Sequence, residues 1–131
     1  MKYLLDTNIL IYFLKGRYNL VDKFDQLGFN NLYISEISIA ELKFGAAKSN
    51  RPQHNKIVID KLVTKFRQIP IFNSLDIFAE EKARLRKEGS IVDDFDLLIG
   101  STAISNEMIL VTNNEKHFNR LNGISIENWT K

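Results

Sequence analysis

The sequence predicts one α/β domain over residues 1–131, with a central parallel sheet of about five strands and helices on both faces. Short, wholly apolar runs such as Leu32-Tyr33-Ile34 alternate with longer segments of helical periodicity. Strands of this kind are typical of a parallel sheet that is buried on both faces. No repeat, low-complexity segment or linker divides the chain, and its length suits a single core.

Each element follows from local features of the chain. Asp6, Thr7 and Asn8 favour a helix start, and Gly16 stops the helix that follows. Ser35 and Arg51-Pro52 open two further helices. The predicted strands are 3–5, 32–34, 69–72, 108–111 and 124–126. The predicted helices are 9–15, 19–27, 35–48, 51–66, 74–88 and 94–106, with a short polar helix after the fourth strand.

The composition excludes several classes of function. With 44% hydrophobic and 26% charged residues, the chain has the composition of an ordinary globular protein. The absence of cysteine excludes disulfides, thiolate catalysis and cysteine-based zinc sites, and it fits a reducing compartment. The unbroken apolar run 9–14 is too short for a secretory leader or a membrane span. We therefore expect a cytoplasmic protein without membrane contact.

Polar residues follow the first and fourth predicted strands. Asp6 is a carboxylate inside the most apolar stretch of the chain, YLLDTNILIYFL. Ligand sites of parallel α/β sheets lie beyond the carboxyl ends of the strands, which is where Asp6 falls. The alternative is that it only caps the next helix in an Asx-type turn. Thr112, Asn113 and Asn114 follow the fourth strand, where an ordinary strand-to-helix turn with an N-cap is the alternative.

Glu41 is placed on the apolar stripe of its predicted helix, with Ile37 and Phe44 as neighbours. An unpaired carboxylate there is costly or becomes protonated. The alternative is a capping box, because Ser38 to Glu41 matches S-x-x-E.

Three acidic residues, Asp93, Asp94 and Asp96, precede LLIGSTAI. One of them is expected to be only a helix cap, since the helix dipole favours acids in the first turn. Asp96 sits closest to the core, and the small residues Gly100, Ser101 and Ala103 allow this helix to approach the sheet closely.

Asp6, Glu41, Asp96 and Asn114 are expected to converge on one edge of the sheet. Clustered carboxylates repel one another unless a cation neutralises them. Without cysteine, and with only two histidines, an all-oxygen ligand set selects Mg²⁺ or Mn²⁺. Such an ion orients water as a nucleophile and stabilises charge on a phosphate. Asp6 is then tolerated among apolar residues as a metal ligand, supported by Thr7 and Asn8.

Five segments resemble a known family in the family's own order: LLDTNILIY, ISIAELKFGA, DFDLLIGSTA, LVTNNEKHF and ISIENW. They are similar to blocks of the PIN-domain ribonucleases, specifically the VapC-type toxins of type II toxin–antitoxin pairs. The resemblance covers essentially the whole chain and implies a PIN-like fold.

The resemblance also implies roles for individual residues. Asp6 and Asp96 would be the main Mg²⁺ (or Mn²⁺) ligands, Glu41 would bind directly or through water, and Thr112 would brace the site. Asn114 stands where many relatives carry Asp, so one-metal chemistry is expected. Asp94 is an extra carboxylate that either replaces the missing charge or is only a cap, and His117 stands where relatives often have an acid.

The implied activity is metal-dependent hydrolysis of structured RNA, a tRNA or ribosomal RNA loop, leaving a 3′-hydroxyl and a 5′-phosphate. Lys82, Arg84 and Arg86 are candidate phosphate contacts, with a solvated helix face as the alternative. The implied partners are a cognate antitoxin and a second copy of the chain in a homodimer. The apolar helices 9–14 and 37–47 are candidate surfaces for either contact, or pure core.

Other α/β classes fit less well. A phosphoryl-accepting receiver domain needs an Asp after strand three and a Lys after the last central strand, where this chain has IPIFN and TNN. A phosphatase with an Asp nucleophile needs a second Asp where Asn8 stands. A PIN module that binds RNA or a protein without cleaving stays open.

Overall fold

The computed structural model describes all 131 residues and contains one five-stranded sheet in which every pairing is parallel. The strands are β1 (Tyr3–Leu5), β2 (Leu32–Ser35), β3 (Arg67–Ile69), β4 (Ile109–Val111) and β5 (Ser125–Glu127). Their order is β3-β2-β1-β4-β5. The predicted fold class is confirmed. Because the chain moves outward from β1 in one direction and then in the other, a topological switch point lies between β1 and β4.

Helices connect the strands and cover the sheet. They are α1 (Thr7–Leu14), α2 (Leu20–Leu27), α3 (Glu36–Ala47), α4 (Pro52–Val63), α5 (Leu75–Lys87), α6 (Asp94–Ser105) and α7 (Glu115–Phe118). Three begin at a side-chain cap: Asp6, Ser35 and Asp93 each accept a backbone N–H of the first turn. None of the seven combines the length and the apolar character that crossing a bilayer requires.

The core lies in two layers, one on each face of the sheet. Consecutive strand residues point to opposite faces, so Leu5 and Val111 belong to one cluster and Leu4 and Leu110 to the other. All four side chains are fully buried. The central strands β1 and β4 are therefore fixed on both sides, and the residues that follow them are held in place.

The third strand differs from the prediction. It spans Arg67–Ile69 rather than 69–72, and Phe72 instead opens a 3₁₀ turn with its side chain exposed. Pro70 ends the strand because it has no N–H to donate to the ladder. Arg67 and Gln68 are exposed because β3 is an edge strand, so its sequence lacks the apolar run of the inner strands.

The capping-box interpretation of Glu41 is wrong. Helix α3 begins at Glu36, and the Ser35 hydroxyl accepts the Ile37 N–H at 3.1 Å. Ser38 and Glu41 therefore lie inside the helix on one face, three residues apart. The predicted apolar stripe is also wrong in part, because the Phe44 side chain is 64% exposed.

Gly100 lies where helix α6 approaches the segment after β4. A Cβ added there would collide with the Leu121 side chain and crowd the Phe118 ring. Both side chains are buried, at 3% and 0% exposure. The small residue therefore allows a close approach to the α7 segment, whereas the sequence predicted a close approach to the sheet.

Gly100→Ala should lower the free energy of unfolding by about 1–3 kcal/mol, because the added methyl group overpacks a buried contact. Gly45→Ala is a matched control, since Gly45 is also helical and a Cβ there meets nothing within 4 Å. That substitution should stabilise the fold by up to about 1 kcal/mol through helix propensity alone. Urea denaturation of both variants measures the difference, and equal effects would contradict the packing argument.

Candidate active site

The polar residues that follow β1 and β4 meet at the switch point. The backbone N–H of Asp6 donates to the Val111 carbonyl at 2.9 Å, which continues the ladder past the end of β1. Thr112 directly follows β4 and is fully buried. Sheet topology therefore brings together residues that are 106 positions apart in the chain.

Asp6 is 3% exposed, and both of its oxygens accept hydrogen bonds. Oδ1 accepts the Thr7 N–H at 2.8 Å, and Oδ2 accepts the Thr112 hydroxyl at 2.8 Å. The first bond is the helix cap that the sequence allowed. The second is a tertiary contact that a cap does not require, so Asp6 is both a cap and a buried site residue.

Thr7 joins Asp6 to Glu41. Its hydroxyl lies 2.7 Å from Glu41 Oε1 and 2.9 Å from Ser38 Oγ. Because a hydroxyl has one proton and a carboxylate can only accept, Thr7 donates to Glu41 and accepts from Ser38. Ser38 is fully buried and was not predicted as a site residue. Its S-x-x-E spacing to Glu41 is visible in the sequence, where a capping box is the alternative interpretation.

The three acidic residues before α6 have different positions. Asp93 is the N-cap and accepts the Phe95 N–H at 3.1 Å. Asp94 is exposed and pairs with Lys82 at 2.8 Å. Asp96 is 22% exposed, and its Oδ2 lies 3.7 Å from His117 Nδ1. The expected cap is thus Asp93, and Asp96 is the most buried of the three.

Asn114 occupies the N-cap position of α7, but its side chain makes no capping bond. Its backbone N–H donates to the Thr112 hydroxyl at 2.9 Å, so one threonine orients both Asp6 and the start of this turn. Asn113 donates through Nδ2 to the Tyr12 hydroxyl at 3.2 Å. Asn8 is half-buried in the first turn of α1 and lies outside these hydrogen bonds.

The carboxylates of the site carry more negative charge than the nearby basic side chains neutralise. Burial raises the pKa of Asp6 to about 6, and repulsion from Asp96 and Glu41 adds to the effect against the hydrogen bonds from Thr112 and Thr7. Burial also raises the pKa of Glu41 and of Asp96, and Asp93 repels both. Asp93 was not predicted to influence the site.

The chemistry of these donors fits a hard divalent cation. No lysine or arginine forms an ion pair with Asp6, Glu41 or Asp96, and carboxylate oxygens are the ligands that Mg²⁺ and Mn²⁺ prefer. However, no three His, Cys, Asp or Glu residues lie close enough together to form a complete metal-binding site. Hydrogen bonds direct both oxygens of Asp6 and one oxygen of Glu41 to hydroxyl and backbone donors.

The basic residues of α5 are not equivalent. The Arg84 guanidinium donates to both oxygens of Glu81, to Glu88 and to the Arg120 carbonyl. We therefore expect Arg84 to stabilise the fold rather than bind RNA. Lys82 and Arg86 line a groove of about 380 Å³ together with Asp93 and Asp94, so they are better placed as phosphate contacts.

Comparison with known proteins identifies the family. The PIN domain model matches residues 3–124. A curated relative from Haemophilus influenzae, Ribonuclease VapC2, is 35% identical over 98% of both chains. The chain belongs to the VapC ribonucleases of the PIN domain family. Another relative, the tRNA(fMet)-specific endonuclease VapC of Shigella flexneri, is 32% identical over 99% of both chains.

Solved VapC structures share the whole architecture. The DNA-bound VapBC complex from Salmonella typhimurium contains a chain with a TM-score of 0.92 and 30% identity, covering 98% of both chains. VapBC2 from Rickettsia felis, bound to a promoter DNA fragment, gives a TM-score of 0.90 at 34% identity, covering 98% of this chain and 99% of the other. The recognition of the family and the assignment as a hydrolytic nuclease are confirmed. PIN-domain ribonucleases generally depend on divalent metal ions.

Glu81→Gln should destabilise the protein by about 2 kcal/mol near neutral pH, because it weakens charge-assisted hydrogen bonds to Arg84. Those bonds lower the pKa of Glu81 below its ordinary value of 4.5. The stabilisation is therefore complete above pH 4.5 and is lost as the pH falls through the lower folded-state pKa. Denaturation curves across this range should show the variant and the wild type converging in acid, and a difference that persists in acid would contradict the argument.

Asp6→Asn should stabilise the metal-free VapC protein in EDTA at neutral pH. The pKa of Asp6 rises from 3.8 unfolded to about 6 folded, so stability falls as the pH rises from about 4 to 6 and stays low above that range. A shift of about two pH units corresponds to roughly 3 kcal/mol, and we expect a gain of about 1–3 kcal/mol. Asp25→Asn, at an exposed position on α2, should change stability by less than about 0.5 kcal/mol. Greater stability of the wild type at neutral pH would contradict the burial argument.

Proposed function

We propose that the Asp6–Glu41–Asp96 site hydrolyses phosphodiester bonds of RNA with the help of Mg²⁺ or Mn²⁺, as the toxin of a VapBC-type pair. The observation that carries the proposal is the buried Asp6 carboxylate at the switch point. It is joined to Glu41 through the Thr7 hydroxyl and has no basic partner. A structural cap does not need a second carboxylate beside it, whereas a cation site does.

Asp6 and Asp96 are the proposed principal ligands, Glu41 binds directly or through water, and the Asn114 amide oxygen takes the fourth position. When bound, a divalent ion supplies positive charge against the charge that develops on the phosphate and orients a water molecule for attack. Thr112 and Thr7 keep the carboxylates of Asp6 and Glu41 oriented through hydroxyl hydrogen bonds. Because Asn114 adds no charge, the site favours a single ion.

Glu41 has a second proposed task, which is to accept the proton of the attacking water. A bound divalent ion lowers the pKa values of the carboxylates that contact it directly, so the proton acceptor is the carboxylate that reaches the ion through water. Glu41 is half-buried beside the site, and its Oε1 accepts the Thr7 hydroxyl. In-line attack then leaves a 3′-hydroxyl on one fragment and a 5′-phosphate on the other.

The proposed substrate is an exposed loop of a structured RNA, and a tRNA is the first choice because the Shigella relative is named for a tRNA. Such loops present splayed bases and accessible phosphates. Lys82 and Arg86 flank the acidic cluster at the groove of about 380 Å³ and are the proposed phosphate contacts. A tRNA substrate places the protein in the cytoplasm.

The proposed antitoxin surface is an apolar groove of about 520 Å³ beside Glu41, between α1, α3 and α4. Its walls include Ile11 and Leu14 of α1, Leu42 of α3 and Ile59 of α4. An amphipathic segment that lies in this groove would reach the acidic site and block RNA. The helices that the sequence suggested as partner surfaces thus contribute to one groove as well as to the core. The homodimer stays a prediction.

Cleavage of purified tRNA by the isolated chain should require Mg²⁺ or Mn²⁺ and stop in EDTA. Asp6→Asn, Glu41→Gln and Asp96→Asn should each reduce the cleavage rate by at least about a hundredfold, because each removes charge that positions the ion. Asp25→Asn serves as the control and should cleave at the wild-type rate. Sequencing of the RNA ends then locates the cut.

The alternative, a PIN module that binds RNA without cleaving it, predicts a different result. A module that only binds RNA would retain a gel shift with tRNA and show the same background cleavage in wild type and Asp6→Asn. Thermal shifts add a readout independent of activity, since Mn²⁺ should raise the melting temperature of the wild type but not of Asp6→Asn. Equal activity of the two proteins would remove this site from consideration.

A further inference from the structure

A second polar pocket, of about 380 Å³, lies between the start of α2 and the segment after β5. Its walls include Tyr18, Asn19, Lys23, Trp129 and Lys131. The pocket thus combines aromatic, amide and ammonium groups. The metal-dependent cleavage proposed above does not use it.

The backbone at the mouth of this pocket is in an unfavourable conformation. Tyr18 and Asn19 have φ values of 58° and 55°, in the left-handed region. Asn tolerates this region, but a bulky aromatic residue does so at a cost. The Tyr18 side chain is nevertheless 47% exposed, so packing in the core does not offset the cost of this backbone conformation. Unfavourable backbone geometry of this kind concentrates at functional sites.

Two contacts connect the pocket with the active site. The Tyr18 ring packs edge-on against Tyr12, with centroids 5.1 Å apart and an interplanar angle of 81°. The Tyr12 hydroxyl accepts the Asn113 amide at 3.2 Å, and Asn113 lies between Thr112 and Asn114. Tyr18 is therefore connected to the acidic site through two side chains, Tyr12 and Asn113.

Two lysines and one carboxylate, that of Asp22, line the pocket, so its net charge of +1 suits an anionic strand. The Arg17 guanidinium lies 6.0 Å from the centre of the Tyr12 ring, and Lys23 lies 5.2 Å from that of Trp129. Lys131 pairs with Glu115 at 3.3 Å. Asn19 is at the N-cap position of α2, yet its side chain makes no capping bond, which leaves its amide available to a ligand.

We propose that this pocket binds an unpaired nucleotide of the RNA substrate, next to the scissile bond. The base stacks on the exposed face of Tyr18, the Asn19 amide meets its polar edge, and Lys23 and Lys131 contact the flanking phosphates. Recognition of single-stranded RNA combines aromatic stacking, amide hydrogen bonds and cationic side chains in this way. The inference rests on the proposed RNA cleavage, because it names a subsite of that reaction.

Trp129 provides a direct probe, because it is the only tryptophan in the chain and lines the pocket. We expect a single-stranded oligoribonucleotide in EDTA to change Trp129 fluorescence in a saturable manner. Tyr18→Gly should weaken this binding about tenfold or more, the scale of a lost base stack. Glycine adopts a φ of 58° freely, so the variant should fold, and Tyr18→Phe should bind within about twofold of the wild type.

The contribution of the basic side chains to RNA binding is tested separately. Lys23→Gln should weaken binding and reduce the slope of log Kd against log salt concentration by about one. Lys65→Gln is the control, since Lys65 is exposed and lies before the opposite edge strand β3. In metal-supported cleavage, Tyr18→Gly should raise KM far more than it lowers kcat.

The outcomes separate the two proposals. If wild type cleaves RNA but shows no fluorescence change, or if Tyr18→Gly binds RNA as well as wild type, the subsite is overturned and the cleavage proposal stands. If RNA changes Trp129 fluorescence and Tyr18→Gly weakens that binding, but no cleavage occurs with Mg²⁺ or Mn²⁺, the pocket binds RNA, the cleavage proposal is overturned, and the pocket is not a subsite of that reaction. If the antitoxin alters Trp129 fluorescence and RNA does not, the pocket is a protein contact and the nucleotide subsite is wrong.

Discussion

The hydrogen bond between the Thr112 hydroxyl and the Asp6 carboxylate is the interaction on which the rest of the site depends. It closes the switch point of the sheet by tying the end of β4 to the end of β1. The same hydroxyl accepts the Asn114 N–H, so the turn that carries Asn114 is fixed by the residue that orients Asp6. Without Thr112, one oxygen of a buried carboxylate would lose its partner, at a cost of about 1–3 kcal/mol or more.

This arrangement keeps a charge in the interior without neutralising it. Hydrogen bonds from hydroxyl and amide groups make the ionised Asp6 tolerable, yet its pKa still rises to about 6. An arginine at the same place would satisfy the carboxylate and would also exclude a cation. Glu81 shows that solution elsewhere in the chain, since Arg84 neutralises it and lowers its pKa. The acidic site is therefore less stable than a site in which a basic side chain neutralises the carboxylate. The buried layers that contain Leu4 and Leu5 keep the sheet intact despite this cost.

The sequence predicted the features that depend on short stretches of chain. The apolar run before Asp6 identified β1 and placed the carboxylate at its end, and the same reasoning placed Thr112 and Asn114 after β4. It failed where the outcome depends on distant neighbours. The edge strand β3 carries the exposed residues Arg67 and Gln68 because it pairs with β2 alone, and no local pattern reports that.

Among the site residues, too, the sequence predicts what local features determine and misses what distant neighbours determine. Ser38 enters the site only because α3 packs its buried face towards Thr7, and S-x-x-E spacing alone cannot distinguish that from a cap. Asp93 and Asp94 are adjacent acids of equal charge, but Asp93 accepts the Phe95 N–H and repels Glu41 and Asp96, whereas Asp94 pairs with Lys82. Such differences arise from side-chain direction, which sequence does not encode locally.

In the proposed cleavage, the distribution of charge couples ion binding to RNA binding. A phosphate that approaches Asp6, Glu41 and Asp96 meets three carboxylates, whereas the proposed contacts of the flanking strand, Lys82, Arg86, Lys23 and Lys131, are basic. Basic flanks alone would hold RNA with its scissile bond outside the site. A bound divalent ion would offset two of the three negative charges and give the phosphate a cation to contact, so that the same strand could bind across the site. Because linkage is reciprocal, RNA that reaches the centre would strengthen ion binding by the same factor by which the ion strengthens RNA binding.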